Sequence, residues 1–113
     1  MGSDDMTYSS VYITAPTEAE AVMIAKTLIA ERLAACANIF DSVRSLYRWA
    51  GEVQDDAETV LILKTRAELL DALIKRAVEL HSDDVPCVVS WAIQDGNEKY
   101  LDWIQAETNA VQH

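Results

Sequence analysis

Cys36-Ala-Asn-Ile-Phe-Asp-Ser-Val-Arg-Ser-Leu-Tyr-Arg-Trp49, then Ala50-Gly51, then Glu52 onward to Glu58-Thr-Val-Leu-Ile-Leu-Lys-Thr65, is the stretch that decides the fold. It reads as one long β-hairpin, with alternating or continuous apolar residues on both arms and a small-residue turn between them. The first arm runs from Cys36 to Trp49, whereas ordinary strands have about five or six residues. At about 3.3 Å per residue it would reach more than 40 Å, further than a 113-residue chain can cover with its own core. Tyr47 and Trp49 near the tip belong to residue types enriched at protein interfaces. The hairpin therefore predicts an oligomer in which another copy covers the overhang.

The flanking segments follow from periodicity and capping signals. Ser9 to Thr14 reads as a short strand ended by Ala15-Pro16. Thr17 and Glu20 have the T-x-x-E spacing of a capping box, opening a helix with a stripe at Val22, Ala25, Ile29 and Leu33. After the hairpin, Thr65 and Glu68 suggest a second box, and a helix with Leu70, Leu73, Ile74, Ala77 and Leu80 on one side. Pro86 to Ile93 reads as a fourth strand. Asp95 and Glu98 suggest a third box before a last helix bearing Tyr100, Leu101, Trp103 and Ile104.

The order is β-α-β-β-α-β with an added terminal helix, the ferredoxin-like split-βαβ arrangement of the α+β class. It predicts a four-stranded antiparallel sheet of strand order 4-1-3-2, two helices on one face, and edge strands beginning at Cys36 and Pro86. Those edges carry Phe40 and Val88, and exposed apolar edges invite pairing with another chain. One domain spans residues 8–108. Residues 1–7 read as a disordered tail or cloning remnant before Met6, and 109–113 as a flexible end that includes His113.

Composition bounds the function. Half the residues are hydrophobic and the net charge is −10. A nucleic-acid binder needs basic stripes to neutralise phosphates, and none is present; an anionic membrane surface is disfavoured for the same reason. No apolar run approaches the length of a membrane span, and no secretory signal is recognisable, so a cytoplasmic location is expected. Acidity of this size keeps a protein soluble and also gathers cations around it. With three glycines in all there is no phosphate-cradling loop, and neither a G-x-S-x-G elbow nor an H-E-x-x-H helix occurs. No enzymatic reaction and no required cofactor are expected.

Several motifs in order match one family. Leu33-Ala34-Ala35-Cys36-Ala37-Asn38, Ser45-Leu46-Tyr47-Arg48-Trp49-Ala50-Gly51, Glu58, Lys64-Thr65, His81, Pro86 and Gly96-x3-Tyr100-Leu101-x-Trp103 resemble the CutA divalent-cation tolerance proteins. The resemblance covers about Ser10 to Trp103. It implies a tight homotrimer of ferredoxin-like subunits, related in architecture to PII-type signal transducers, with hairpins locking neighbours together. It also implies a role in metal tolerance and binding of copper and other divalent ions. Two positions depart from the family pattern: His81-Ser82-Asp83 replaces the usual His-Pro-Tyr, and Cys87 replaces a glutamate after the proline.

The candidate ligands are Cys36, His81, Glu58 and Asp83. Thiolate and imidazole suit copper, while Glu58, Asp83 and Asp84 offer hard oxygens. Each has a structural alternative: a buried inert thiol for Cys36, a helix-end cation for His81, a solvated acidic loop for the carboxylates. Two cysteines without C-x-x-C spacing exclude an ordinary structural zinc site in one chain. The predicted sheet also sets them too far apart for a disulfide. Trimer contacts are assigned to Tyr47, Trp49, Phe40 and Val88. The alternative function is a PII-like signalling or scaffolding trimer, binding a partner protein or a small anion. Lys64 and Arg66 would hold that anion at the following helix N-terminus.

Overall fold

A computed structural model describes residues 7–109. The elements are β1 (Tyr8–Ala15), α1 (Glu18–Ala30), β2 (Cys36–Trp49), β3 (Glu52–Arg66), α2 (Leu70–Leu80, entered through a 3-10 turn at Ala67–Leu69), β4 (Val88–Ile93) and α3 (Glu98–Glu107). All strand pairs are antiparallel, in the order β2-β3-β1-β4. This is the expected α+β topology, with β2 and β4 at the edges. Residues 1–6 and 110–113, including His113, lie outside the described residues. Next to them, the Thr7 carbonyl accepts from Ala67 N and Asn109 N donates to the Arg32 carbonyl.

Alternation along the strands separates the two faces of the sheet. Val11, Ile13, Leu61 and Leu63 point to one face and are fully buried against Ala21, Ile24, Ala25 and Leu28 of α1 and Leu73 and Ala77 of α2. The buried stripe of α1 is thus Ala21-Ile24-Ala25-Leu28, not Val22-Ala25-Ile29-Leu33; Ile29 is exposed. Alanines at 21 and 25 let the helix approach the sheet closely, and Leu33, beyond the helix, packs at the edge of the same core. α3 covers one end of the opposite face, where Ile104 and Leu101 pack on Tyr8, Ala35 and Ile93.

Capping follows the expected signals only in part. Thr17 Oγ1 accepts from Glu20 N at 3.1 Å, but the Glu20 carboxylate turns away to the Ser82 backbone N–H at 2.9 Å. Thr65 caps nothing: it is the penultimate residue of β3, fully buried, and donates to the Leu33 carbonyl at 2.6 Å. At α3 the cap is Asn97, accepting from Lys99 N at 3.0 Å, while Asp95 accepts from its neighbour Gly96.

The hairpin closes through Ala50 (φ 54°) and Gly51 (φ 82°). Two consecutive positive φ values in a two-residue loop match the twist of the flanking strands. One β-bulge lies between Phe40 and Val43, with Ser42 at φ 60°. Beyond it the hairpin leaves the core, and the molecule measures 49 × 25 × 25 Å. The radius of gyration, 15.1 Å, exceeds the ~13 Å expected for a compact chain of this length, the difference being the projecting arms.

Candidate functional site

Where the hairpin departs from the sheet, a cleft of about 750 Å³ opens between β2 and the loop that follows α2. Its walls include Tyr12 of β1, Tyr47 and Trp49 of β2, Glu58 of β3, and Asp83 and Asp84 of the loop. Cys87, exposed just before β4, also lines it. The register explains the convergence: Tyr47 lies opposite Gln54 and Val43 opposite Glu58, so residues alternating from each strand share the face away from α1 and α2. The bulge keeps this alternation in step across the bend.

The cleft is negative. Among the described residues its one lining cation, Arg44, is held by Asp55 through two parallel bonds of 2.9 and 2.7 Å. That forked pair is the strong geometry for guanidinium and carboxylate, so Arg44 does little to offset the other acids. The Tyr47 hydroxyl donates to Asp56 at 2.5 Å. This bond, then burial, then the charges of Asp56, Glu58 and Asp83 push the phenol up to about 12. Carboxylates from β3 and from the loop therefore act on the same ring.

The loop wall is fixed from below. The His81 side chain is fully buried; Nε2 donates to the Thr14 carbonyl at 2.7 Å and Nδ1 accepts from Asp83 N at 3.1 Å. Both ring nitrogens are occupied in the neutral tautomer, so this residue positions the loop and has no lone pair left for a metal. Glu20 Oε2 stands 3.4 Å from Nδ1. Burial pushes the Glu20 carboxyl up, but the hydrogen bonds from Ser82 outweigh it, and the net shift is downward.

The four expected metal ligands do not come together in one chain. Cys36 lies beside Lys64 in the sheet register, six residues along β3 from Glu58, or about 20 Å at strand spacing. Its Sγ is 3.3 Å from the Tyr100 hydroxyl. Among the described residues no three His, Cys, Asp or Glu side chains group closely enough to hold a metal ion. Glu58 and Asp83 do share the cleft. Cys36 and Cys87 are both free thiols, on the two edge strands or beside them, as the disulfide geometry required.

The expected anion site is occupied by the protein itself. Arg66 is buried; Nε donates to Thr108 Oγ1 at 3.0 Å and Nη1 to Glu68 at 2.7 Å, tying α3 to the sheet. The first amide of the following turn, Ala67 N, goes to the Thr7 carbonyl. Lys64 is 3.4 Å from Asn38 Oδ1. Of the expected contact residues, Phe40, Tyr47 and Trp49 are exposed, whereas Val88 packs into the core because it pairs with the inward-facing Ile13. On β4 the large apolar side chains left exposed are Val89 and Trp91.

Sequence reasoning missed Tyr12 as a cleft residue. Its signal was the alternation Ser10-Tyr12-Thr14, which places a large ring on the more polar face of β1.

Known proteins agree with this architecture. The family profile described as CutA1 divalent ion tolerance protein matches residues 9–107. The chain is 46% identical over 98 residues to Protein CutA 1, chloroplastic, of Oryza sativa, covering 87% of this chain and 55% of that protein. It is also 46% identical over 98 residues to the divalent-cation tolerance protein CutA of Thermus thermophilus, covering 87% and 95%. The chain thus spans about half of the rice relative and nearly all of the Thermus one. The crystal structure of CutA1 from Oryza sativa superposes with a TM-score of 0.91 at 43% identity, covering 93% of this chain and 96% of that one.

Proposed function

The chain belongs to the CutA1 divalent ion tolerance family, and from that premise we propose that it acts as a homotrimer that binds copper and other divalent ions without carrying out an enzymatic reaction. The observation that carries this is the match to the family profile across residues 9–107.

Assembly is supported by what a single chain leaves uncovered. Phe40, Trp49, Val89 and Trp91 are each at least half exposed, and all lie on strands with an unpaired edge or on the projecting arm. A run of exposed apolar side chains of this size marks an interaction surface, and unpaired edge strands are covered in native proteins. With the donors among the described residues too dispersed within one chain, the ion is shared between subunits. Cys36 supplies a soft thiolate donor suited to copper, and Glu58 and Asp83 are the available oxygen donors. His81 holds the loop and is not a ligand.

Metal content per chain, measured after loading with copper and removing the excess, tests this function. The trimer is expected to retain stoichiometric copper, and a chain dissociated by Trp49→Ala is expected to lose it. Equal retention by both species contradicts an ion shared between subunits.

The small-ligand alternative draws support from the cleft, whose volume is that of a molecule more than of an ion. Its former anchor, an anion held by Lys64 and Arg66, does not survive the engagement of Arg66 by Thr108 and Glu68.

A further inference from the structure

We propose that Cys36 and Tyr100 form a switch: while the Cys36 thiol is free, the Tyr100 hydroxyl ties the front of α3 to the sheet, and a soft metal ion on the sulfur lets that part of the helix go. The metal trigger rests on the copper reading above, whereas the link between sulfur and helix stands on geometry alone.

The contact joins residues 64 apart in the chain, with Cys36 Sγ 3.3 Å from the Tyr100 hydroxyl. Cys36 opens β2 half-buried, and Ala35 just before it receives the packing of Leu101 and Ile104. Tyr100 is braced by Trp103, three residues on and so on the same side of the helix. The two rings stack with centroids 5.6 Å apart and planes 28° from parallel, an attractive aromatic geometry. The brace limits the freedom of the Tyr100 ring and keeps its hydroxyl at the sulfur.

The ties of α3 are uneven along its length. At its back end Arg32 donates to the Ala106 carbonyl at 2.9 Å and Arg66 donates to Thr108, while Asn109 donates to the carbonyls of Glu31 and Arg32. Among the described residues, the stretch 98–103 has one hydrogen bond beyond its own helix and cap, the one between Tyr100 and Cys36. Leu101 supplies the apolar packing there. A segment with so few ties opens locally at low cost, so this single bond decides how firmly the front of the helix is seated.

When a soft metal ion takes the sulfur, the thiol proton leaves to water and the sulfur–metal bond forms in its place. If Sγ is the donor, its bond to the hydroxyl goes with that proton. If the hydroxyl is the donor, its proton then faces a cation on the same sulfur and is repelled. In both cases the tie is lost, and the front of α3, with the Tyr100–Trp103 stack, loosens from the sheet. Occupancy at Cys36 is thereby converted into a change at the surface of the fold.

Hydrogen exchange of the intact protein, read by mass spectrometry on a peptide covering 98–105 and on β1 as reference, tests the switch. Cys87→Ser serves as the background, so that Cys36 is the sole thiol. In it, Tyr100→Phe is expected to speed exchange of the α3 peptide about threefold or more, the scale of one hydrogen bond, and to leave β1 unchanged. Capping Cys36 as its methylthio disulfide is expected to speed exchange equally. Capping the Tyr100→Phe protein is expected to add nothing, because both changes remove the same bond. Copper(I) is expected to act as the cap does. The switch is overturned by a cap that leaves the α3 peptide unchanged, by a cap that accelerates Tyr100→Phe as much as its parent, or by a Cys36 thiol that resists capping in the folded protein. Release by the cap but not by copper(I) removes the metal trigger and counts against the copper reading, with the link between sulfur and helix intact.

Discussion

Glu20 and Ser82 are 62 residues apart, yet the Glu20 carboxylate accepts the Ser82 backbone N–H at 2.9 Å. The bond joins the first turn of α1 to the loop that walls the cleft. A residue that by spacing belonged to a capping box serves instead to fasten the functional loop. Its consequence is a pH dependence with a definite sign. The folded-state carboxyl is held below its ordinary value of 4.5, so the stabilisation is present above that pH and is lost as pH falls through the lower folded value.

Glu20→Gln should therefore melt below the wild type at neutral pH, by the equivalent of about 1 kcal/mol, the difference between a charged and a neutral hydrogen bond to the same N–H. The gap should close as the pH is taken below about 4.5. Melting curves of both proteins across pH 3 to 7 measure it; a gap that widened on acidification would reverse the assigned role.

His81→Ala should separate stability from metal binding. It removes a fully buried ring and leaves the Thr14 carbonyl and Asp83 N–H without their partner, a loss of about 2 kcal/mol or more. Copper affinity of the folded fraction should fall far less than in Cys36→Ser, since the ring positions the loop and is not itself a ligand. Denaturant unfolding beside a copper titration gives both numbers, and a selective loss of copper at unchanged stability would restore the ring as a ligand.

Ala50 occupies φ 54°, a conformation that costs a side chain with a Cβ about 1 kcal/mol. Ala50→Asn produces the Asn-Gly pair favoured in such turns and should raise stability by about 0.5 kcal/mol. Thermal melts decide it; a lower melting temperature would mean that the turn is shaped by contacts with another chain.

Light scattering should give three times the 12.6 kDa chain mass at micromolar and nanomolar concentrations alike. Trp49→Ala should dissociate the assembly or lower its melting temperature sharply, since truncating a tryptophan that the proposed trimer buries between subunits costs about 3 kcal/mol or more. A folded wild-type monomer would remove the assembly altogether.

The strand order and the long hairpin were legible because alternation and turn residues act locally. Cys36 to Trp49 carries its own pattern, and Ala50-Gly51 marks its end. The false capping boxes at Thr65 and Asp95 arose because a polar residue three positions before a glutamate has other partners available. Thr65 found the Leu33 carbonyl in the core, and Asn97 lay closer to the helix than Asp95. The roles of Arg66 and His81 were illegible for another reason. Each is fixed by residues distant in the chain, Thr108 and Thr14, and sequence spacing holds no trace of such contacts. Val88 was misplaced by one position in a strand, enough to exchange the core face for the open one.

Copper titration of wild type and Cys36→Ser, both as trimers in ~0.15 M salt, tests the central claim most directly. The substitution keeps size and charge nearly constant while removing the soft donor. A copper site built on Cys36 predicts at least a tenfold loss of affinity, about 1.4 kcal/mol per site, with calcium binding unaffected because thiolate is a poor ligand for hard ions. Identical copper isotherms for the two proteins would contradict it.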